Sequence, residues 1–171
     1  MSPRSARDDD AGESASADGR RAPGSGSHRV SKPTSAAREQ ASVQAYLDKY
    51  SEAITAGDTR TLTKLWGVPA FVVGAMEARV VHSEDEVEQF FAGAKDRYNA
   101  RGIVGTRAEI THLDWISDDL VIATVRWPYL DRDDRVLGEE TSSYTLLRGE
   151  DGSFKVRVAT LRGESAGEAA R

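Results

Sequence analysis

The sequence predicts an α+β domain, with helices laid against one face of a curved antiparallel sheet. Two observations carry that reading. Apolar residues recur at helical spacing up to about residue 100, then alternate at strand spacing up to about residue 161. A third observation bounds it: 171 residues are enough for one domain with polar tails.

Residues 1–36 are rich in Ser, Ala, Gly, Arg and Asp and carry almost nothing apolar. Such a segment cannot bury enough surface to offset its ordering entropy, so it is expected to be a disordered tail. The first helix is expected over Ala36 to Ala56, where Val43, Tyr46, Leu47, Tyr50 and Ile54 share one stripe. Gly57 suits the left-handed position that ends a helix, and Asp58 can cap the second helix, which reaches Trp66. Ala70–Val73 and Ala78–Val81 form a hairpin around Gly74-Ala75-Met76-Glu77. Ser83-Glu84-Asp85-Glu86 is a capping box opening a third helix, with Val87, Phe90, Phe91, Ala94 and Tyr98 as its buried stripe and Ala100 near its end.

Strands follow. Ile103 to Ile116 is one extended run, and Leu120 to Leu130 places Val121, Ala123, Val125, Trp127 and Tyr129 on one face. Glu139 to Arg148 and Phe154 to Leu161 are joined by the turn Glu150-Asp151-Gly152. The domain is thus expected to span residues 37–162, with a flexible tail at 163–171. A curved sheet with helices on its concave side tends to leave an end cavity, and cavities take ligands.

Several function classes drop out. A net charge of −5 argues against generic nucleic-acid binding, which needs a basic face to displace counterions. No window approaches the ~18 apolar residues of a membrane span. With no cysteine there is no thiolate catalysis, disulfide or cysteine metal site, and three scattered histidines give no metal spacing. No cofactor is implied. The opening MSPRSARDDDAGES lacks a secretory apolar core, so a cytoplasmic protein is expected.

The segments YSEAITAGD (Tyr50–Asp58), Leu65-Trp66, the helix start Ser83–Phe91, TVRWPY (Thr124–Tyr129) and DGSFKV (Asp151–Val156) resemble, in this order, the nuclear transport factor 2-like superfamily. That superfamily is a cone-shaped α+β fold shared by ketosteroid isomerases and SnoaL-like polyketide cyclases. The resemblance implies three N-terminal helices on the concave face of the sheet, an apolar cavity, and pairing of two sheets in a homodimer. It also implies a test of chemistry. Tyr50 matches the oxyanion-stabilising tyrosine of ketosteroid isomerase, whereas that enzyme's base and second acid fall at Gly74 and near Ser143. Neither is acidic, so a ketosteroid isomerase is not expected.

Candidate site residues keep two readings each. Tyr50 either aims its hydroxyl into the cavity or is a core tyrosine on a helix stripe. His112, with Asp114 on the same strand face, and His82, beside the third helix, are candidate bases or surface histidines. The pocket wall is expected from Tyr46, Ile54, Trp66 and Val73 on one side. Phe91, Val125, Trp127 and Tyr129 supply the other. Arg126, Arg157, Glu139 and Glu140 are read as facing outward. Leu120, Ile122 and Tyr144 are read as the second sheet face, available for dimerisation. The expected function is a SnoaL-like domain binding a hydrophobic small molecule or a partner without catalysis. A cyclase, isomerase or hydratase acting on a polyketide-like or steroid-like substrate is the alternative.

Overall fold

The computed structural model describes residues 34–166. The expected tail at 1–36 lies outside them apart from its last three positions, where the first helix has already begun.

Helix α1 (Ser35–Ala56) starts at Thr34, whose hydroxyl accepts a bond from Ala37 N at 3.2 Å, and ends at Gly57 in the left-handed region. Its stripe is buried as its periodicity dictates, with Val43 and Leu47 almost wholly out of water. Asp58 caps α2 (Thr59–Leu65) through Thr61 N. Trp66 then opens β1 (Trp66–Val73), which pairs antiparallel with β2 (Ala78–Val81). The hairpin stands as expected, although β1 starts four residues before Ala70.

Ser83 accepts from Glu86 N, and the Glu86 carboxylate accepts from His82 N at 2.9 Å, closing both halves of the cap on α3 (Glu84–Phe91). The third helix differs from expectation in one respect. It is broken at Gly93, where φ is +70°, and resumes as α4 (Ala94–Ala100), which buries none of its residues fully. Glycine takes that φ at little cost, so the stripe that began at Val87 is redirected rather than continued.

The extended run after Gly102 is likewise split, into β3 (Gly105–Thr106) and β4 (Glu109–Trp115). Both pair with β5 (Leu120–Leu130), β4 along Val121–Arg126 and β3 along Tyr129–Leu130. Strands β6 (Val136–Arg148) and β7 (Phe154–Ala166) complete a curved, unclosed seven-stranded sheet in the order β2-β1-β7-β6-β5-β3, with β4 also on β5. Every pairing is antiparallel except β1 with β7. Strand β7 continues through Ala166, past the expected domain end at residue 162.

Register assigns the faces. Val121, Ala123, Val125, Trp127 and Tyr129 point inward as their alternation predicts, all buried. Their partners on β6 therefore point inward too: Trp127 faces Glu140, Val125 faces Ser142 and Ala123 faces Tyr144. Two expectations fail here. Glu140 does not face outward, and Tyr144 is no part of a second face but a core residue at 4% exposure. Arg126 and Glu139 do lie on the outer face, where Arg126 bridges Glu109 and Glu139. One core joins the α1 stripe, Leu62, Leu65 and Trp66 to the inner face of the sheet.

Candidate functional site

The inner face changes character along its length. Around Leu47, Leu62, Leu146 and Val156 it is closed and apolar. Toward α4 it becomes a ring cluster. The Tyr50 centroid lies 5.9 Å from Trp127, 5.7 Å from Tyr144 and 6.1 Å from Phe91, and Trp127 lies 6.1 Å from Tyr144. These are edge and tilted contacts of the kind aromatic quadrupoles favour.

Two adjoining cavities open beside this cluster. A smaller one of about 50 Å³ lies among Ile103, Thr106, Tyr98 and the inward residues Trp127, Tyr129 and Glu140. A wider one of about 490 Å³ runs along Tyr50, Phe90, Phe91 and Ser142 to Arg97 and Arg101. Ile54, Tyr98, Glu140 and Tyr144 border both. The wider volume falls within the roughly 300–1,000 Å³ usual for small-molecule sites.

Charge and hydrogen bonds sharpen the picture. The Tyr129 hydroxyl donates to a Glu140 carboxylate oxygen at 2.7 Å, and the Arg101 guanidinium carbon stands 5.6 Å from the centre of the Tyr129 ring. Burial, seconded by neighbouring tyrosines, pushes the Tyr50 hydroxyl well above the ordinary phenol value. Burial and the Glu140 charge push Tyr144 up as well. Both phenols stay protonated across the biological pH range, so they serve as donors and not as bases. The Trp127 Nε1 and Thr106 Oγ1 atoms are buried without a hydrogen-bond partner among the described residues. Among those residues no group of three or more His, Asp or Glu side chains could hold a metal ion.

Residues 38–164 match the family model described as NTF2-like protein (DUF6841). The chain belongs to this NTF2-like family. No curated protein sequence matches it. Solved structures agree on the fold. A domain of unknown function with a cystatin-like fold from Nostoc punctiforme is 13% identical over 80% of this chain and 82% of its own, with a TM-score of 0.56. An NTF-2 like protein of unknown function from Silicibacter pomeroyi is 20% identical over 75% and 98%, at 0.54. A ketosteroid isomerase-like protein from Erwinia carotovora atroseptica is 15% identical over 72% and 95%, also at 0.54. At these identities the likeness speaks for the fold alone.

Within the NTF2-like frame, the expected site residues separate. Tyr50, Ile54, Phe91, Trp127 and Tyr129 border the cavities. Tyr46 does not: its hydroxyl is spent on Leu65 O at 2.7 Å within the core. Trp66 and Val125 are core residues, and Val73 lies at the β1 end, bordering neither cavity. His82 and His112 are exposed and border neither cavity, because His82 precedes the α3 cap and His112 lies on a solvent-facing stretch of β4. Neither joins Tyr50.

The isomerase positions also resolve. Gly74 lies in the β1–β2 turn, and Ser143 faces outward, its hydroxyl 3.1 Å from that of Thr124. The inward acid of this strand is Glu140, three residues earlier. Sequence reading missed it, although strand parity held the signal: Glu139 and Glu140 are adjacent and cannot both face outward.

Proposed function

We propose that this domain binds a small, largely apolar molecule in the ring-lined chamber and performs no chemistry on it. The observation that carries the reading is the pair of adjoining cavities walled by Tyr50, Tyr98, Trp127 and Tyr144. Their rings offer large apolar contact with little conformational entropy to lose. Native mass spectrometry of the purified protein tests this. A bound small molecule is expected in the wild type and is expected to vanish in Ile54→Trp, which fills the shared wall. An Ile54→Trp variant that retains the same bound mass would contradict the site.

One observation favours a second reading. Glu140 brings a carboxylate into the chamber that Tyr50 and Tyr144 also border. A base beside neutral donors can move a proton next to a carbonyl while the donors stabilise the developing oxyanion. An isomerase, cyclase or hydratase acting on a polyketide-like or steroid-like molecule would use that arrangement. Glu140→Gln separates the two readings: binding retained with turnover lost supports an enzyme, whereas no turnover in the wild type leaves a binder.

We also read the outer sheet face as a self-association surface. Phe71 and Val80, paired across β1 and β2, are exposed, and Leu147 is exposed on β6. Light scattering giving a clean monomer would remove that reading.

A further inference from the structure

Helix α4 covers both cavities, yet it is seated on the domain quite differently from α1. Ala94 and Tyr98, one turn apart, are its half-buried residues, and its other five are exposed. Helix α1 buries six. A helix of seven residues has little stability of its own and depends on the surface it covers, so α4 loses little when it lifts.

Both ends of α4 are built to turn. Gly93 precedes it at φ +70° and Gly102 follows it at φ +80°, a region that glycine enters and leaves at little cost. Beyond these two positions the chain is anchored. Phe91 packs edge-on against Tyr50 and Trp66, and Ile103 is buried. Between the anchors, the attachments of α4 include the Tyr98 ring lying 5.5 Å from Tyr129 and Lys95 Nζ donating to Ala56 O at 3.3 Å. This segment lies over the whole opening: Ala94, Arg97, Tyr98 and Arg101 border the wider cavity, and Lys95, Tyr98 and Asn99 border the smaller. The opposite walls carry Tyr50, Trp127 and Tyr144, all buried in the core, so the cover is the part free to move.

We infer that α4 is the gate of the chamber: it swings about Gly93 and Gly102 to admit and release the ligand, and it closes by setting Tyr98 back against Tyr129. This rests on the ligand-binding reading above and adds the route of entry to it. A strap tied at both ends can only rotate, so one bond from its side to α1 is enough to stop it. The chain offers a clean place for that bond. It has no cysteine, and a Cβ on Gly57 would stand 3.3 Å from Lys95 Cβ, close to the roughly 3.5–4.5 Å of a disulfide.

Gly57→Cys combined with Lys95→Cys in the full chain tests the gate, with N-phenyl-1-naphthylamine as a neutral fluorescent probe followed by stopped flow. The strain of cysteine at φ +69° is present oxidised and reduced alike, so comparing the two states isolates the bond. Oxidation is expected to slow association and release together, by about tenfold or more, with the equilibrium affinity little changed and with reductant restoring both rates. Unchanged rates on oxidation, with the probe bound in both states, overturn the gate and leave ligand binding standing. Hydrogen exchange of the unaltered protein carries the test should the double variant fail to fold. The α4 amides are expected to exchange as a unit, on the order of a hundredfold faster than those of α1. Exchange of α4 and α1 at one common rate removes the motion. Failure of the probe to bind the unaltered protein counts against the ligand-binding reading, and the exchange rates then decide the motion by themselves.

Discussion

The two halves of the inner face are built from the same strands and the same helix, yet they are finished differently. Around Leu47, Leu62, Leu146 and Val156 the inward groups are nearly all apolar and inaccessible, and the Tyr46 hydroxyl among them is satisfied by Leu65 O. Around Tyr50, Trp127, Glu140 and Tyr144 the inward groups are rings and polar atoms, with cavities between them. A closed apolar core contributes stability through area removed from water and through contacts without voids. Cavities and unmade hydrogen bonds forgo part of both. The contrast teaches where this domain gives up packing, and in a fold stabilised elsewhere such a place is where a ligand is accommodated.

Substitutions of one kind at the two ends should break or sharpen that contrast. Leu47→Ala and Leu62→Ala, in the closed half, are each expected to cost about 2–5 kcal/mol in denaturant unfolding. Ile54→Ala, one turn of helix from the ring cluster and bordering both cavities, is expected to cost well under half as much, because its side chain is only partly surrounded. Equal losses at Leu47 and Ile54 would erase the distinction.

A smaller effect is expected at the break between α3 and α4. Gly93→Ala forces an L side chain to φ near +70°, at a cost of about 1–2 kcal/mol, with only the Arg97 guanidinium to displace. Hydrogen exchange should show the loss concentrated in α4, over the cavities, and not in α1. A uniform increase across the core would contradict a separable cover.

The ionisable groups divide along the same line. Burial raises Tyr46, Tyr50 and Tyr144 above the usual phenol value of 10.0. A raised folded value means that the neutral form is favoured by folding, so this contribution is intact below pH 10 and is lost as pH rises through and beyond it. Ultraviolet titration should therefore leave these three of the five tyrosines un-ionised until the protein unfolds. The opposite sign holds at the periphery. Hydrogen bonds from Thr61, Arg135 and Ser153 lower Asp58, Asp131 and Asp151, and Arg107 and Arg126 lower Glu109. A depressed folded value gives stability that is present above the ordinary carboxylate range and lost as pH falls through the folded value. The melting temperature should accordingly be flat from pH 7 to about 5 and decline only below about 4, by a small amount, since these carboxylates are exposed.

How much of this was legible in the sequence depended on whether a local rule applied. The α1 stripe, the Asp58 and Ser83 caps and the inward set of β5 follow from periodicity and short-range hydrogen bonding, and they were readable. Strand β6 was not. EETSSYTLL has no clean apolar alternation, so the inward parity of Glu140, Ser142 and Tyr144 is established only by pairing with β5. The parallel contact of β1 with β7 joins segments some ninety residues apart and leaves no local trace. Gly93 was hidden inside an otherwise helical stripe, where a lone glycine is often tolerated. His82 and His112 were candidates for their chemistry, and chemistry alone does not say which way a loop or strand residue faces.

The most direct measurement is a map of where small molecules bind: backbone and indole NMR resonances of the labelled protein, followed during titration with a panel of flat apolar fragments. The account predicts shifts confined to Tyr50, Ile54, Tyr98, Trp127, Glu140, Tyr144 and their neighbours. Shifts centred on Leu47, Leu62 and Val156, or on the outer face around Phe71, with the ring cluster silent, would contradict it.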